Sequence, residues 1–262
     1  MSAEAVIEGS DGRFVASPLA RGPWDANAQH GGAPAALLMR AFEQLPSADG
    51  LALARVTYEL LRPAPIGPVE VRAEIVRPGR RVQLLEASML ADGVEVVRAR
   101  ALRVRRAESS DAGPDGGAPP AGPDAGRPPS LKLPHRPMFT PDAVEIRFVA
   151  GSWGESPCAA WFRLRRPLVA GETPSFLQHL AAAGDFGNGI SATLSWNDYL
   201  FINPDLTLYV EREPAGEWIC LESETRIRAD GIGLAESVLY DERGRVGRAT
   251  QALLVAPRHR SD

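Results

Sequence analysis

Asp185 and Gln251 are polar side chains set in largely apolar sequence, one a candidate general base and the other a candidate buried amide. Asp185 lies near the C-terminal end of a helix marked by the apolar stripe Phe176, Leu177, Leu180 and Ala181. The helix dipole disfavours a negative charge at that end, and Phe186 with the neighbouring alanines would strip water from it. Both effects raise a carboxyl pKa, as a general base requires. The plainer alternative is a solvated acid beside a glycine turn. Gln251 sits between Ala249 and Leu253 on a largely apolar final strand. It is either an exposed edge residue or a buried amide that needs partners. A third feature, His30-Gly31-Gly32, leads into another helix. Backbone N–H groups at a helix N-terminus can receive an oxygen on which charge develops, and glycine lets a substrate approach the backbone. The same glycines would also serve a tight turn with no chemistry.

Other chemistries lack their signatures. No G-x-S-x-G, G-x-G-x-x-G or P-loop occurs; Gly151-Ser152-Trp153-Gly154 and Gly231-Ile232-Gly233 fall short of the first two. Cys158 and Cys220 stand far apart and read as buried free thiols, so no metal site and no cofactor is expected. Arg98, Arg100, Arg103, Arg105 and Arg106 read as a solvated basic face. With 29 Lys+Arg against 33 Asp+Glu the net charge is −4, which argues against nucleic acid as a partner. Residues 1–12 carry Glu4, Glu8 and Asp11 and no basic-then-apolar pattern, and no apolar run spans a membrane. A soluble cytoplasmic protein with no membrane partner is expected.

The elements that must position these residues follow from periodicity. Pro34 to Leu45 reads as a helix with Leu37, Leu38, Ala41, Phe42 and Leu45 on one face. Thr173 reads as the N-cap of the second helix, with Pro174 at its first position. Strand patterns follow each helix, and double apolar steps at Leu84-Leu85 and Val96-Val97 suggest bulges. Residues 107–130 contain, apart from prolines, no apolar side chain larger than alanine and read as a linker, of which 108–129 should be mobile and dispensable. The flanking segments repeat each other: Val56 to Arg62 overlays Leu206 to Arg212, Glu86 to Leu90 echoes Ala235 to Leu239, and Arg98-Ala99 falls on Arg248-Ala249. The expected units are therefore 1–106, the linker 107–130, and 131–262. One helix followed by antiparallel strands in each gives an α+β class. Ala101 stands where Gln251 stands in the repeat, so the site belongs to one half.

Two helices so entered, each followed by long strands, and the runs Phe201 to Thr207, Arg212-Glu213-Pro214, Gly231 to Ser237 and Asp241 to Gln251 resemble the double-hotdog acyl-CoA thioesterases. That resemblance implies a tandem hotdog, each half an antiparallel sheet wrapped around one long central helix. It implies hydrolysis of an acyl thioester, carried by coenzyme A or by an acyl carrier protein, with water activated by Asp185. Gln251 and Asn203, the latter standing where the family usually has threonine, would orient that water. His30, Gly31 and Gly32 would bind the substrate oxygen. The spacing of Asp25, Asn27 and His30 also resembles hotdog enoyl-CoA hydratases, in which Asp and His add water across a double bond. A non-catalytic acyl-binding protein is the third reading. Acyl chain type and assembly into a homo-oligomer are left open.

Overall fold

A computed structural model describes residues 4–107, 116–130 and 137–258. Among them, thirteen strands form one antiparallel sheet. The first part of the chain gives β1 (Ile7–Ser10), β2 (Arg13–Ala16), α1 (Gly32–Gln44), β3 (Leu51–Leu60), β4 (Gly67–Arg77), β5 (Val82–Ala91) and β6 (Val94–Arg105). The second gives β7 (Val144–Ala150), β8 (Cys158–Leu164), α2 (Phe176–Gly184), α3 (Gly187–Ser191), β9 (Tyr199–Ile202), β10 (Asp205–Val210), β11 (Ile219–Ile227), β12 (Ile232–Asp241) and β13 (Gly244–Pro257). The strand order is β1-β2-β4-β5-β6-β3-β10-β13-β12-β11-β8-β7, with β9 pairing β13.

The central pairing, β3 with β10, joins the two parts. There Thr57 stands opposite Thr207, and their hydroxyls lie 3.2 Å apart. These are the residues that the internal repeat equates. The bulges repeat as well. Val96 is the extra residue of β6 and its carbonyl accepts from the Leu61 N–H; Val246 is the extra residue of β13 and accepts from the Glu211 N–H. Near Leu84-Leu85 the extra residue is Val76 on the neighbouring strand β4. An expected bulge thus sits across the ladder from the apolar step that suggested it.

Both helices are buried beneath the sheet. In α1 every residue from Gly32 to Arg40 is buried, together with Phe42, and in α2 every residue from Gln178 to Gly184. They run antiparallel against each other. A Cβ on Gly32 would meet the Ala182 carbonyl oxygen at 2.5 Å, while at the other end Glu43 accepts from Ser175 Oγ (2.7 Å) and Gln178 Nε2 (2.8 Å). This arrangement brings the start of α1 to the end of α2.

Three expectations are corrected. The N-cap of the second helix is Ser175, whose Oγ accepts from the Gln178 N–H, rather than Thr173. Both residue types cap well; the Glu43 carboxylate, which anchors the Ser175 hydroxyl, selects one. Phe176 then turns outward and is 43% exposed. Arg103 leaves the solvated face assigned to it. It is buried and donates to the carbonyls of Phe42, Leu45 and Pro46, capping the negative end of α1. Finally, part of the linker is docked. Trp161 Nε1 donates to the Ala121 carbonyl at 2.7 Å, and Arg127 exchanges two backbone hydrogen bonds with Phe148 of the edge strand β7. Residues 108–115 of that linker lie outside the described residues. Cys158 and Cys220 are both buried thiols, and no helix among the described residues is long and apolar enough to cross a membrane.

Candidate active site

Asp185 occupies the C-cap of α2, and Phe186 carries the chain into α3 in the same right-handed helical conformation. This short junction projects the carboxyl toward the N-terminus of α1. Oδ1 accepts from Asn203 Nδ2 (2.8 Å), on the loop between β9 and β10, and from Gln251 Nε2 (3.1 Å) on β13. Oδ2 lies 3.1 Å from His30 Nδ1. The Gly32 N–H points at His30 Nδ1 (3.1 Å) and also hydrogen-bonds Asp185. Asn203, Gln251, His30 and Gly32 therefore converge on the Asp185 carboxyl, and Gly31 adjoins it.

Most of their polar contacts are to one another. Gln251 is fully buried and its amide is bonded at both polar atoms: Oε1 accepts from the Asn188 N–H (3.0 Å), while Nε2 is shared between Oδ1 and the backbone carbonyl of Asp185. Its amide thus ties the Asp185 carboxyl to the backbone of Asn188. The Gly32 N–H is likewise taken. Gly32 is a glycine because the backbone of α2 passes against it. Gly31 is a glycine because a Cβ would lie 2.6 Å from Asp185 Oδ2 and 2.9 Å from Cγ. Its N–H has no partner among the described residues.

Burial raises the Asp185 pKa to about 7, against the opposing pull of hydrogen bonds from Asn203, Gly32 and Gln251. Burial also lowers that of His30 to about 3. The imidazole is neutral at neutral pH, so the short contact is a hydrogen bond between a neutral ring and a carboxyl rather than an ion pair. The ring is fixed by stacking on Phe186 (centroids 4.3 Å apart) and by Phe139 (5.2 Å). Asp25 is not joined to His30. It is exposed and its Oδ1 accepts from the Asn27 N–H in a local turn.

His30, Gly31, Asp185 and Asn203 line a cavity of about 1210 Å³; Gln251 and Gly32 lie behind its wall. Trp24 and Trp196, with centroids 4.5 Å apart, and Phe201, 4.1 Å from Trp196, form an aromatic ladder in which Trp24, Trp196 and Phe201 all belong to the lining. Arg62 and Arg258 are exposed and also line it, which places them on the rim. The sequence reading missed Asn188, a buried lining residue three positions after Asp185. Helical spacing from the acid was the available signal.

A buried carboxyl at the meeting point of two helices under one antiparallel sheet belongs to the hotdog class. A conserved protein of unknown function with a hotdog fold from Alicyclobacillus acidocaldarius superposes with a TM-score of 0.73 at 18% identity, over 98% of each chain. An acyl-CoA thioesterase II from Mycobacterium marinum does so with a TM-score of 0.67 at 16% identity, over 97% of this chain and 96% of that one. No curated protein sequence matches the chain. The family models are more specific: the acyl-CoA thioesterase N-terminal domain matches residues 20–104 and the C-terminal domain residues 108–255. The chain belongs to the acyl-CoA thioesterase family, and its chemistry is thioester hydrolysis.

Proposed function

We propose that the chain is a double-hotdog thioesterase, one helix to each half, in which Asp185 is the general base. The matching bulges at Val96 and Val246 and the Thr57–Thr207 pairing support a duplicated unit. In the reaction, Asp185 takes a proton from water as its oxygen bonds to the thioester carbonyl carbon. The C=O electron pair moves onto oxygen, which the Gly31 N–H at the head of α1 receives. Collapse of the tetrahedral intermediate breaks the C–S bond, and the proton held by Asp185 passes to the leaving thiolate. The products are the free acid and the thiol. Gln251, Asn203 and His30 hold the carboxyl in position, a change from the water-orienting and oxygen-binding roles first expected of them.

The observation that carries this reading is the carboxyl itself, buried in the wall of a large cavity with its ionisation held near neutrality. Arg62 and Arg258 on the rim favour coenzyme A, whose phosphates they would meet, over an acyl carrier protein. The test is thiol release from short, medium, long and aromatic acyl-CoAs. Asp185→Asn keeps the shape and removes the base, so kcat should fall about 10²–10⁴-fold while acyl-CoA still binds. Asp25→Asn should hydrolyse at nearly the parental rate; a hydratase relying on Asp25 would lose its activity. Parental hydrolysis by Asp185→Asn would refute the assignment.

A further inference from the structure

Among the rings of the cavity lining, Trp24 stands apart by its exposure. It is 53% exposed, whereas Phe201, at the other end of the aromatic ladder, is 5% exposed and packs with Ala192, Leu253 and Val255. The ladder is rooted in the core at Phe201, passes through Trp196 and ends in solvent at Trp24. Its inner end adjoins the site, since Asn203, two residues after Phe201, donates to Asp185. One face of the Trp24 indole lies on Trp196, and more than half of the residue is open at the mouth of the cavity.

A cation is built onto the same ladder. Arg258 Nε donates to the carbonyls of Trp196 (3.0 Å) and Tyr199 (3.1 Å), and its backbone N–H donates to the Asp198 carbonyl (2.8 Å). The guanidinium is fixed against the turn that carries Trp196, and its two terminal nitrogens have no partner among the described residues. A held guanidinium with free terminal N–H groups suits a phosphate, and an open indole face suits a flat ring. Asp25 follows Trp24 in its loop, and its negative charge disfavours a phosphate on that side but not a neutral base. Phosphates are costly to take out of water, so the charged end of a coenzyme A thioester stays at the mouth while its acyl group lies inward. The groups at the mouth therefore meet the carrier.

We propose that the open face of Trp24 seats the adenine of coenzyme A, with Arg258 on its phosphates. This rests on the reading of coenzyme A as the carrier. Stacking uses the π-face of the base and needs no hydrogen-bond partner, which matches a site that offers one ring and one charge. Trp24 touches no reacting atom; it determines which carrier is held.

The full-length parent, Trp24→Leu and Trp24→Phe are compared on an acyl-CoA and on the corresponding S-acyl pantetheine, which lacks the nucleotide. Trp24→Leu keeps an apolar side chain and removes the ring. Its KM for acyl-CoA should rise roughly 5–150-fold, the usual worth of one base–aromatic stack, with kcat within about twofold. Trp24→Phe keeps a ring and should recover most of that loss. Both variants should hydrolyse S-acyl pantetheine as the parent does. The adenosine bisphosphate portion of coenzyme A, added alone, should quench the parent's tryptophan fluorescence and compete with acyl-CoA; in Trp24→Phe the quenching should shrink while the competition persists. Should Trp24→Leu fail to fold, that pair of readouts decides, and no quenching or no competition in the parent overturns the proposal. Parental KM for acyl-CoA in Trp24→Leu, an equal loss on S-acyl pantetheine, or a loss that varies with the acyl group also overturns it. With the parent preferring acyl-CoA over S-acyl pantetheine, those outcomes leave coenzyme A standing as the carrier. A parent that hydrolyses the two thioesters equally well removes both readings.

Discussion

His30 Nδ1 meets Asp185 Oδ2 at 3.1 Å, although the two residues come from opposite ends of different helices in different parts of the chain. Two acceptor atoms at that distance require a proton between them, and burial decides where the ionisations fall. The ring resists taking up a second proton, and the carboxyl resists losing its own until near neutrality. The pair is therefore set to change state once, at the carboxyl, in the range where a base for water is useful.

The first prediction is a pH–rate profile. As Asp185 deprotonates, kcat/KM for an acyl-CoA should rise from pH 5, reach half its maximum near 7 and level off above about 8. His30 should contribute no limb in that range, because its own ionisation is held near 3. Initial rates between pH 5 and 9 check this; a profile flat across that range would contradict it.

Stability should depend on the same carboxyl with a defined sign. Asp185 ionises near 7 in the folded chain and near 3.9 when unfolded, so between those values the folded chain holds the extra proton. Its contribution becomes more unfavourable as pH rises from about 4 to about 7 and is constant above. Asp185→Asn removes that term. The melting temperature of the variant, relative to the parent, should climb between pH 4.5 and 8, with His30 common to both and cancelling. Calorimetry at three pH values measures the gap.

Gly31→Ala and Gly32→Ala should fail differently. At Gly31 the backbone is right-handed helical and admits alanine, but the new methyl would displace the Asp185 carboxyl. Activity should fall about 10²-fold with little change in melting. At Gly32 the methyl would strike the Ala182 carbonyl oxygen, which can yield only if the helices part. That variant should lose roughly 1–3 kcal/mol of stability, the usual cost of overpacking.

The rim predicts how the carrier is held. Reversing Arg62 and Arg258 to Glu should raise KM for acyl-CoA by roughly tenfold, about 1.4 kcal/mol, and leave kcat within about twofold. The effect should shrink with added salt and vanish for an S-acyl pantetheine without phosphates. An equal loss with that truncated thioester would place the arginines in the fold instead.

The sequence by itself determined the helices α1 and α2, most of the long strands and the repeat, and it marked Asp185 as a candidate acid. These rest on information a short window holds: an apolar stripe at helical spacing, alternation along strands, an acid at a helix end beside Phe186. A repeat needs only the chain compared with itself, and Thr57 and Thr207 do meet in the central ladder. The short β1, β2, β9 and α3 escaped because four or five residues carry too little pattern, and the pairing of β1 and β2 depends on β4 and on the Pro167–Ala170 segment.

Only the tertiary structure decided who bonds to whom. Thr173 and Ser175 are equal as caps until Glu43 arrives beside one of them. Arg103 looks like its solvated neighbours until the end of α1 is placed above it. The Gly31 and Gly32 N–H groups are alike in sequence, yet one is spent on His30 and the other is left over. Gln251 was legible as a buried amide that needs partners, but its choice of the carboxyl over a water follows from distances between three elements. Hydrogen bonds are short-ranged and saturable, so each partner is set by the last few ångströms of packing, and a local window contains no such distances.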